Sequence, residues 1–476
     1  MLEGGVRQNG TGIQNGHEMM TEKNGLASPT FVGFLMTQFL GAFNDNYFKQ
    51  LVLLTCVGVA AESGPDRQPL ALAAFALPFV LLSGAGGFLS DRFAKHHVII
   101  GCKIAEIVIM LLALSIMLMP SLTPDQRLLC LICVLALMGA HSAIFGPSKY
   151  GALPELFRDD VLMPVNGSVQ MTTFLAIIFG TVAAGIALDQ FNRSLWIGSL
   201  FAVGIAVTGT ATSLMIARTV PSQPELRLKP GNLGVPADVR QLLRNDRSLM
   251  LAILVASLFW FIGGVAQPAV NTLGRQVFRL SDTRTSLLTS GIGIGIAAGC
   301  LFVGVVAGGS GKKWVTRGAW GIVLSLAGIG YCGMIGAESN AVEVPALNAV
   351  VPETLLASLT SAGMVEWSVR ILMILLGASA GIFVVPIQVR IQQSPPIEQK
   401  GRVIGVMNLF NWIGILLSAA FLGIVGVVLR MISTEGSIGK NQSLTFWILA
   451  VAMIPVALWY DPGDGRNTQD EKSMDE

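Results

Sequence analysis

Long apolar runs separated by short polar clusters are the main pattern along this chain. Most of these runs contain about 20 residues or more, which is the length that an α-helix needs to cross the hydrocarbon core of a bilayer. We predict twelve membrane-spanning helices, near residues 31–60, 69–89, 98–119, 128–150, 164–188, 195–217, 248–274, 285–309, 316–336, 368–389, 403–429 and 444–460. The pattern therefore predicts an all-α membrane protein.

A polar segment divides the predicted spans into two groups of six. Residues 218–247 contain four prolines and several charged side chains, so a membrane-embedded helix cannot continue through them. The predicted organisation is a flexible tail at 1–28, a six-helix bundle at 29–217, a linker at 218–247, a second six-helix bundle at 248–460 and an acidic tail at 461–476.

The two groups of spans also resemble each other in sequence. The stretch Ala-Ile-Phe-Gly-Pro at 143–147 ends the fourth span, and Gly-Ile-Phe-Val-Val-Pro at 381–386 ends the tenth. A Val-Asn step at 165–166 and a Met-Asn step at 407–408 follow in the two halves. Weak internal symmetry of this kind is typical of transporters that consist of two halves, with the substrate site between the repeats. We therefore predict two pseudo-symmetric bundles.

The composition agrees with a membrane location, and the absence of certain motifs argues against nucleic-acid binding and catalysis. Hydrophobic residues make up 52% of the chain and charged residues 13%, against about 25% charged residues in soluble domains. The sequence has no basic patch with interleaved aromatic residues, so we predict no nucleic-acid partner. It also has no nucleophile with an adjacent base, no phosphate-binding loop and no metal-ligand cluster, so we predict a protein that is not an enzyme and needs no metal or cofactor.

Lys and Arg residues are concentrated in alternate connecting segments. The segments on the side of the two tails hold most of them, and Lys103 is counted with these segments. Cytoplasmic loops of membrane proteins carry an excess of Lys and Arg. We therefore predict a multi-pass protein whose two termini both lie in the cytoplasm.

The first predicted span contains four polar residues near its centre: Asn44, Asp45, Asn46 and Lys49. An ionisable side chain in mid-membrane costs several kcal/mol, so such residues mainly face a bundle interior or a water-filled cavity. Lys49 follows Asp45 by four residues, which places both on one helix face and allows them to pair. Two interpretations remain open: a self-neutralised pair that only packs helices, or one wall of a hydrated cleft.

The turn between the second and third spans carries the motif Gly-Phe-Leu-Ser-Asp-Arg-Phe-Ala-Lys at 87–95. It resembles the G-x-L-x-D-R-x-x-K/R loop of the major facilitator superfamily, which implies a transporter of twelve spans in two bundles. We expect Gly87 to allow two helices to approach closely. We expect Asp91 to dock on the positive N-terminal end of the eleventh span, near residues 401–403, and to close the cytoplasmic side. The predicted latch consists of Gly87, Asp91, Arg92 and Lys95; the alternative is a solvated loop whose charges only set the orientation.

Four segments together indicate a resemblance to one family within this superfamily. They are Gln-Phe-Leu-Gly-Ala-Phe-Asn-Asp-Asn at 38–46, the loop at 87–95, Gly-Pro-Ser-Lys-Tyr-Gly at 146–151 and Asn-Gly at 166–167. In these segments the chain is similar to the bacterial lysophospholipid transporter family. The resemblance implies import of lysophospholipids, mainly the ethanolamine form, from the outer to the inner leaflet of the bacterial inner membrane for reacylation. We expect the reacylation to need a separate acyltransferase as a partner, beside the membrane lipids.

The same resemblance implies that Asp45 and Lys149 are cavity charges that contact a zwitterionic headgroup or each other. Lys149 lies toward the cytoplasmic end of its span, so an interfacial position is the alternative. Near the end of the seventh span the family has a cationic residue, where this chain has Gln267 followed by Pro268. Because Gln267 is neutral, we expect the charge network of this chain, and the headgroup that it selects, to differ from those of the family.

The headgroup of a lysophospholipid combines a phosphate with an ammonium group, and the molecule carries a single acyl chain. Lys49 or Lys149 can meet the phosphate and Asp45 the ammonium. The amide side chains that add neutral hydrogen bonds are those of Asn44, Asn46 and Gln267. Two other functions remain open: a proton-coupled exporter of small amphipathic compounds or drugs, with Asp45 as the proton carrier, and a non-transporting membrane scaffold.

Other titratable residues within the spans are interpreted as packing residues. His141 in the fourth span has the character of a hydrogen-bonded packing histidine. Glu366 and Arg370 have the i, i+4 spacing of an ordinary helix pair.

Overall fold

The computed structural model describes residues 24–62, 66–158, 161–191, 194–227, 237–306, 311–339, 362–395, 400–432 and 438–461. Most of the two predicted tails and residues 228–236 of the predicted linker lie outside these ranges. The side chains of Asn166 and of residues 401–402, which the sequence motifs include, also lie outside the described set.

Twelve long α-helices and one short helix make up nearly all of this part of the chain. They are α1 (Pro29–Glu62), α2 (Gln68–Arg92), α3 (Lys95–Leu118), α4 (Pro124–Leu156), α5 (Leu162–Gln190), α6 (Leu195–Ser213), the short α7 (Ala237–Asn245), α8 (Arg247–Thr272), α9 (Asp282–Val306), α10 (Gly311–Ser339), α11 (Met364–Gln393), α12 (Lys400–Ile432) and α13 (Ile438–Trp459). A π-helical turn, Leu273–Val277, extends α8.

The helices are suited to a bilayer by length and composition. Eleven of them are long and apolar enough to cross a membrane, and α1 is the remaining long helix. The hydropathy of α1 is lower because its central turns carry the polar residues at 44–46 and Lys49. Large side chains such as Leu81, Leu301 and Leu324 are exposed on the outside of the molecule, where a membrane supplies apolar surroundings. The predicted all-α membrane fold is confirmed.

The long helices form two bundles of six, each with its own apolar core. In the first bundle, Tyr47, Phe48 and Leu51 of α1 lie in a core that includes residues from α2, α3, α4, α5 and α6. The core of the second bundle is built only from residues 239–460 in the described part of the chain. Because the fully buried residues of each core belong to one half, the bundles are separate packing units that meet along a shared face.

The two bundles meet mainly through two pairs of helices, α2 with α12 and α5 with α9, and α1 and α2 also contact α8. Phe79 on α2 stacks on Trp412 on α12 with ring centroids 3.5 Å apart. The side of the molecule at which α1 begins and α13 ends is called the tail side below. The start of α9 and the start of α2 lie on the opposite side, since successive long helices alternate in direction.

One sequence-based placement is wrong. Lys103 belongs to α3 rather than to a loop, and its side chain is 1% exposed. Lys103 can lie inside the bundle because the buried carboxylate of Glu106 neutralises its charge. A close helix approach occurs at Gly86, where a Cβ atom would lie 2.7 Å from the carbonyl oxygen of Ala143. A Cβ atom at Gly87 would meet open space in this structure, and the close approach expected at Gly87 stays a prediction.

Candidate functional site

Helix α1 directs its polar residues to two different surroundings. Asn44 is fully buried, and its Nδ2 donates a hydrogen bond to Glu106 Oε1 of α3 at 2.7 Å. Asp45 is half-buried, and its Oδ2 accepts a hydrogen bond from Ser142 Oγ of α4 at 2.7 Å. The other carboxylate oxygen of Asp45, Oδ1, has no hydrogen-bond partner among the described residues. This oxygen is buried, so the carboxylate carries one unsatisfied acceptor in this structure.

A charged pair on α3 lies behind these two residues. Lys103 and Glu106 form an ion pair within α3, and both side chains are almost completely buried. His141 Nε2 of α4 lies 3.8 Å from Glu106 Oε2. Burial of a charge in a membrane protein requires a partner of opposite sign, which the pair provides. We name the whole group the buried charge cluster: Asn44, Asp45, Lys103, Glu106, His141 and Ser142.

Glu106 is not among the predicted site residues and Lys103 was predicted to lie in a loop, although their spacing in the sequence indicates a buried pair. The two residues are three positions apart inside the apolar run that forms α3, so they share a helix face. A cation and an anion at this spacing within a membrane span indicate a buried pair. His141, interpreted as a packing histidine, lies beside the same pair.

Asn46 and Lys49 lie on the face of α1 that turns toward the second bundle. Both side chains are half-buried. Lys49 Nζ donates to Asn46 Oδ1 at 3.1 Å and lies 5.6 Å from the ring centroid of Phe75. These contacts of Lys49 differ from the predicted pair with Asp45. Phe75 in turn packs against Trp412 of the second bundle, so Lys49 lies close to the boundary between the bundles.

An amide network connects the two bundles one turn further along α1. Gln50 Nε2 donates to Asn271 Oδ1 at 3.0 Å, and Asn271 Nδ2 donates to Gln68 Oε1 at 3.2 Å. Gln267, predicted to contact the headgroup, donates to Gln50 Oε1 at 3.2 Å and so lies in this network. Hydroxyl groups of Thr272, Ser286 and Thr289 complete the network.

The position of Gln50 in this network shows which way the predicted binding residues of α1 face. Gln50 occupies the position i+4 from Asn46, so both are on one helix face. Because Gln50 reaches across to α8, Asn46 also faces the second bundle, one turn closer to the tail side. The network closes the contact between the bundles on the side opposite the tails, and Asn46 and Lys49 lie just beneath it.

Lys149 lies apart from the other predicted site residues. It is 9% exposed, and its Nζ lies 4.6 Å from the ring centroid of Tyr150. Lys149 is seven residues beyond Ser142 on α4, about 10 Å along the helix axis toward the tail side. Ser142 contacts Asp45, so the structure separates Lys149 from Asp45 by about two helical turns.

The predicted latch residues have their contacts within the first bundle and the linker. Asp91 and Arg92 are exposed, and the Arg92 guanidinium lies 5.6 Å from the ring centroid of Phe93. Lys95 is buried and donates to Glu155 Oε1 at 2.5 Å and to Ser222 Oγ at 2.6 Å. The structure therefore does not bring these residues together on α12; the latch stays a prediction.

The fold is that of a membrane transporter of the two-bundle type. It consists of two six-helix bundles, with a buried charge cluster in one of them and a hydrogen-bonded boundary between them. The sequence profile of the Major Facilitator Superfamily matches residues 31–419. The chain belongs to this superfamily, as the loop motif at 87–95 predicts.

Curated relatives agree with the narrower resemblance of the sequence. The lysophospholipid transporter LplT of Photorhabdus laumondii is 27% identical over 433 residues, which cover 87% of this chain and 94% of that protein. LplT of Yersinia pestis (strain Pestoides F) is 27% identical over 297 residues, which cover 61% of this chain and 66% of that protein. The predicted resemblance to the lysophospholipid transporter family is confirmed.

Solved structures with the same fold come from transporters of other substrates. The D-xylose–proton symporter has a TM-score of 0.62 and 14% identity, covering 92% of this chain and 100% of that chain. The inward-open xylose transporter XylE from E. coli has a TM-score of 0.60 and 12% identity, covering 93% and 99%. The nucleoside transporter NupG has a TM-score of 0.57 and 12% identity, covering 90% and 100%. At these identities the likeness concerns the fold alone.

Proposed function

We propose that this protein moves lysophospholipids of the lysophosphatidylethanolamine type from the outer to the inner leaflet of a bacterial inner membrane. The proposed mechanism is alternating access, in which the two bundles rock about the site between them. The observation that carries the proposal is the wall of α1, where Asp45 and Lys49 present opposite charges one turn apart beside the bundle boundary. Its relatives named lysophospholipid transporter LplT support the choice of substrate.

The carboxylate of Asp45 is suited to an ammonium group. Ser142 donates to Oδ2 and orients the carboxylate, while Oδ1 is left without a hydrogen-bond partner among the described residues. Lys103 forms its ion pair with Glu106 rather than with Asp45. A substrate ammonium can therefore donate to Oδ1 as a charge-assisted hydrogen bond.

Lys49 is the cation placed for the phosphate. It lies one helical turn from Asp45, and it donates a hydrogen bond to the neutral amide oxygen of Asn46. A neutral partner leaves the ammonium charge of Lys49 uncompensated by that contact, which favours an anionic ligand. Lys149, about two turns toward the tail side, is proposed as a second phosphate contact along the path of release.

The proposed orientation places both tails in the cytoplasm. The amide network that includes Gln50 and Asn271 then closes the outer side, and we propose that the substrate leaves the site on α1 toward the cytoplasmic side. A lysophospholipid released there enters the inner leaflet, where a separate acyltransferase is the proposed partner that consumes it.

The experiment that tests the function compares cells with and without the protein for uptake of labelled lysophosphatidylethanolamine, in the presence and absence of a proton uncoupler. Uptake that depends on the protein and continues with the uncoupler is the expected result. The opposite outcome is an absence of lysophospholipid uptake together with efflux of an amphipathic dye that stops with the uncoupler. That result would establish a proton-coupled exporter instead.

A further inference from the structure

The end of α5 repeats the loop motif that follows α2. The sequence at 185–193 is Gly-Ile-Ala-Leu-Asp-Gln-Phe-Asn-Arg, and the sequence at 87–95 is Gly-Phe-Leu-Ser-Asp-Arg-Phe-Ala-Lys. Gly, Asp, Phe and a final basic residue occupy the same positions in both. Helices α2 and α5 run in opposite directions, so the two segments lie on opposite sides of the first bundle. Inverted repeats of three helices occur within each half of such transporters.

The two segments also end their helices in the same way. Phe93 is the C-cap residue of α2, and its N–H donates to the carbonyl oxygen of Leu89 four residues earlier. Phe191 is the C-cap residue of α5, and its N–H donates to the carbonyl oxygen of Ala187, again four residues earlier. The acidic residue therefore has the same position relative to the helix end in both segments.

Asp189, the acidic residue of the second segment, contacts the other bundle. Its side chain is buried, with the residue 6% exposed. Oδ1 accepts a hydrogen bond from the backbone N of Asp282 at 3.0 Å, and Oδ2 accepts one from the backbone N of Thr283 at 2.6 Å. These are the first residues of α9, whose unpaired N–H groups and helix dipole favour a carboxylate.

A cation next to this contact reduces the repulsion between Asp189 and the acidic residue at the start of α9. The side chain of Asp282 carries a negative charge at the same helix end, and Arg275 Nε neutralises it at 3.1 Å from Oδ1. The repulsion between the two carboxylates is therefore reduced by a cation from the turn that follows α8.

Gly185 brings α5 close enough for the contact. A Cβ atom at this position would lie 2.5 Å from the carbonyl oxygen of Asp282 and 2.5 Å from Ser286 Oγ. Only glycine fits between the helices at this distance. The equivalent Gly87 faces open space on the tail side, where Asp91 is exposed.

We propose that Gly185 and Asp189 form an outer latch on the N-terminus of α9, and that it alternates during transport with an inner latch of Gly87 and Asp91 on the N-terminus of α12. In this structure the outer latch is engaged. When the bundles rock, Asp189 leaves α9 as Asp91 reaches α12. This inference rests on the proposed alternating access and names the residues that set the balance between its two states.

The test measures the two states by spin-label distances, without any substrate. One label pair at Ser121 and Met364 reports the outer side, and a second pair at His97 and Asn245 reports the tail side, in a chain whose six native cysteines are replaced. Asp189→Asn keeps the shape of the side chain but removes its charge. It is expected to raise the ratio of outer-open to outer-closed molecules roughly two- to thirtyfold, the range for a carboxylate at a helix N-terminus.

A second substitution tests the alternation itself. Adding Asp91→Asn to Asp189→Asn removes the inner latch and is expected to return part of the population to the outer-closed state. The matched control is Asp125→Asn, since Asp125 is a carboxylate on the same outer side that pairs with Arg67 inside the first bundle at 2.8 Å. The control is expected to leave both distances unchanged.

Glycine variants keep the proposal testable if Asp189→Asn fails to fold. Gly185→Ala is expected to shift the population toward the outer-open state, and Gly87→Ala toward the outer-closed state. Unchanged distances in Asp189→Asn, or equal effects of the two glycine variants, would overturn the latches. Because no lysophospholipid is present, this failure is distinct from a failure of the uptake experiment, which concerns the substrate.

Discussion

Gln50 of α1 donates a hydrogen bond at 3.0 Å to Asn271 of α8, a residue 221 positions away in the sequence. The contact joins the two bundles through neutral amide groups rather than through charges. Separating two amides costs less than separating a buried ion pair, because neither is left as an unpaired charge. A boundary of this kind is suited to opening and closing.

Replacement of Gln50 by Leu is expected to weaken the closed contact between the bundles on the side opposite the tails. It leaves the amides of Asn271 and Gln267 without a partner that they have in this structure, at a cost of about 1–3 kcal/mol for each unsatisfied buried group. Hydrogen–deuterium exchange should become faster at residues 265–277. Gln241→Leu, which changes an exposed amide on α7, is the control; equal exchange in both variants would contradict the role of the network.

Gln267→Ala is expected to change the rate of transport without changing headgroup preference. Gln267 bonds to Gln50 across the bundle boundary, so its loss affects the transition between states. Competition between lysophospholipids with ethanolamine and glycerol headgroups measures the preference, and uptake at saturating substrate measures the rate. A changed preference at an unchanged rate would return Gln267 to the headgroup site that the sequence predicts.

Asp45→Ala is expected to abolish transport while the protein still inserts into the membrane. The substitution removes a costly charge and not an apolar contact, so insertion does not depend on it. Uptake of labelled lysophosphatidylethanolamine and the amount of protein in the membrane fraction measure the two effects. Ser115→Ala, at an exposed serine that bonds only within its own helix turn among the described contacts, serves as the control. Normal transport by Asp45→Ala would exclude Asp45 from the mechanism.

Glu106→Gln is expected to destabilise the first bundle. It leaves Lys103 buried and without its carboxylate, which costs about 3–5 kcal/mol in comparable buried pairs. The melting temperature of the purified protein should fall, and Lys103→Met combined with Glu106→Gln should recover most of the loss. Asp461→Asn, which breaks the exposed pair with Lys312, should cost about 1 kcal/mol or less. A similar loss in both single variants would contradict the buried role of Glu106.

The helices were predictable because their signal is local. Each apolar run of membrane length is stabilised by its own backbone hydrogen bonds and by lipid, so its helical state needs little information from distant residues. The same reasoning identified Asp45 and Lys49, since a charge in an apolar run is conspicuous in the sequence. Lys103 was misplaced because it lies close to the start of its span, where a loop cation and a buried one have the same sequence pattern.

The sequence by itself determined the twelve-helix plan, the two halves and the polar centre of α1, because hydropathy acts over single helices. Only the tertiary structure decided which polar residues meet. Gln68 bonds to Asn271, and Asp189 to the start of α9, across 203 and 93 residues of sequence. These partners are set by how the bundles dock, which depends on the packing of many side chains at once.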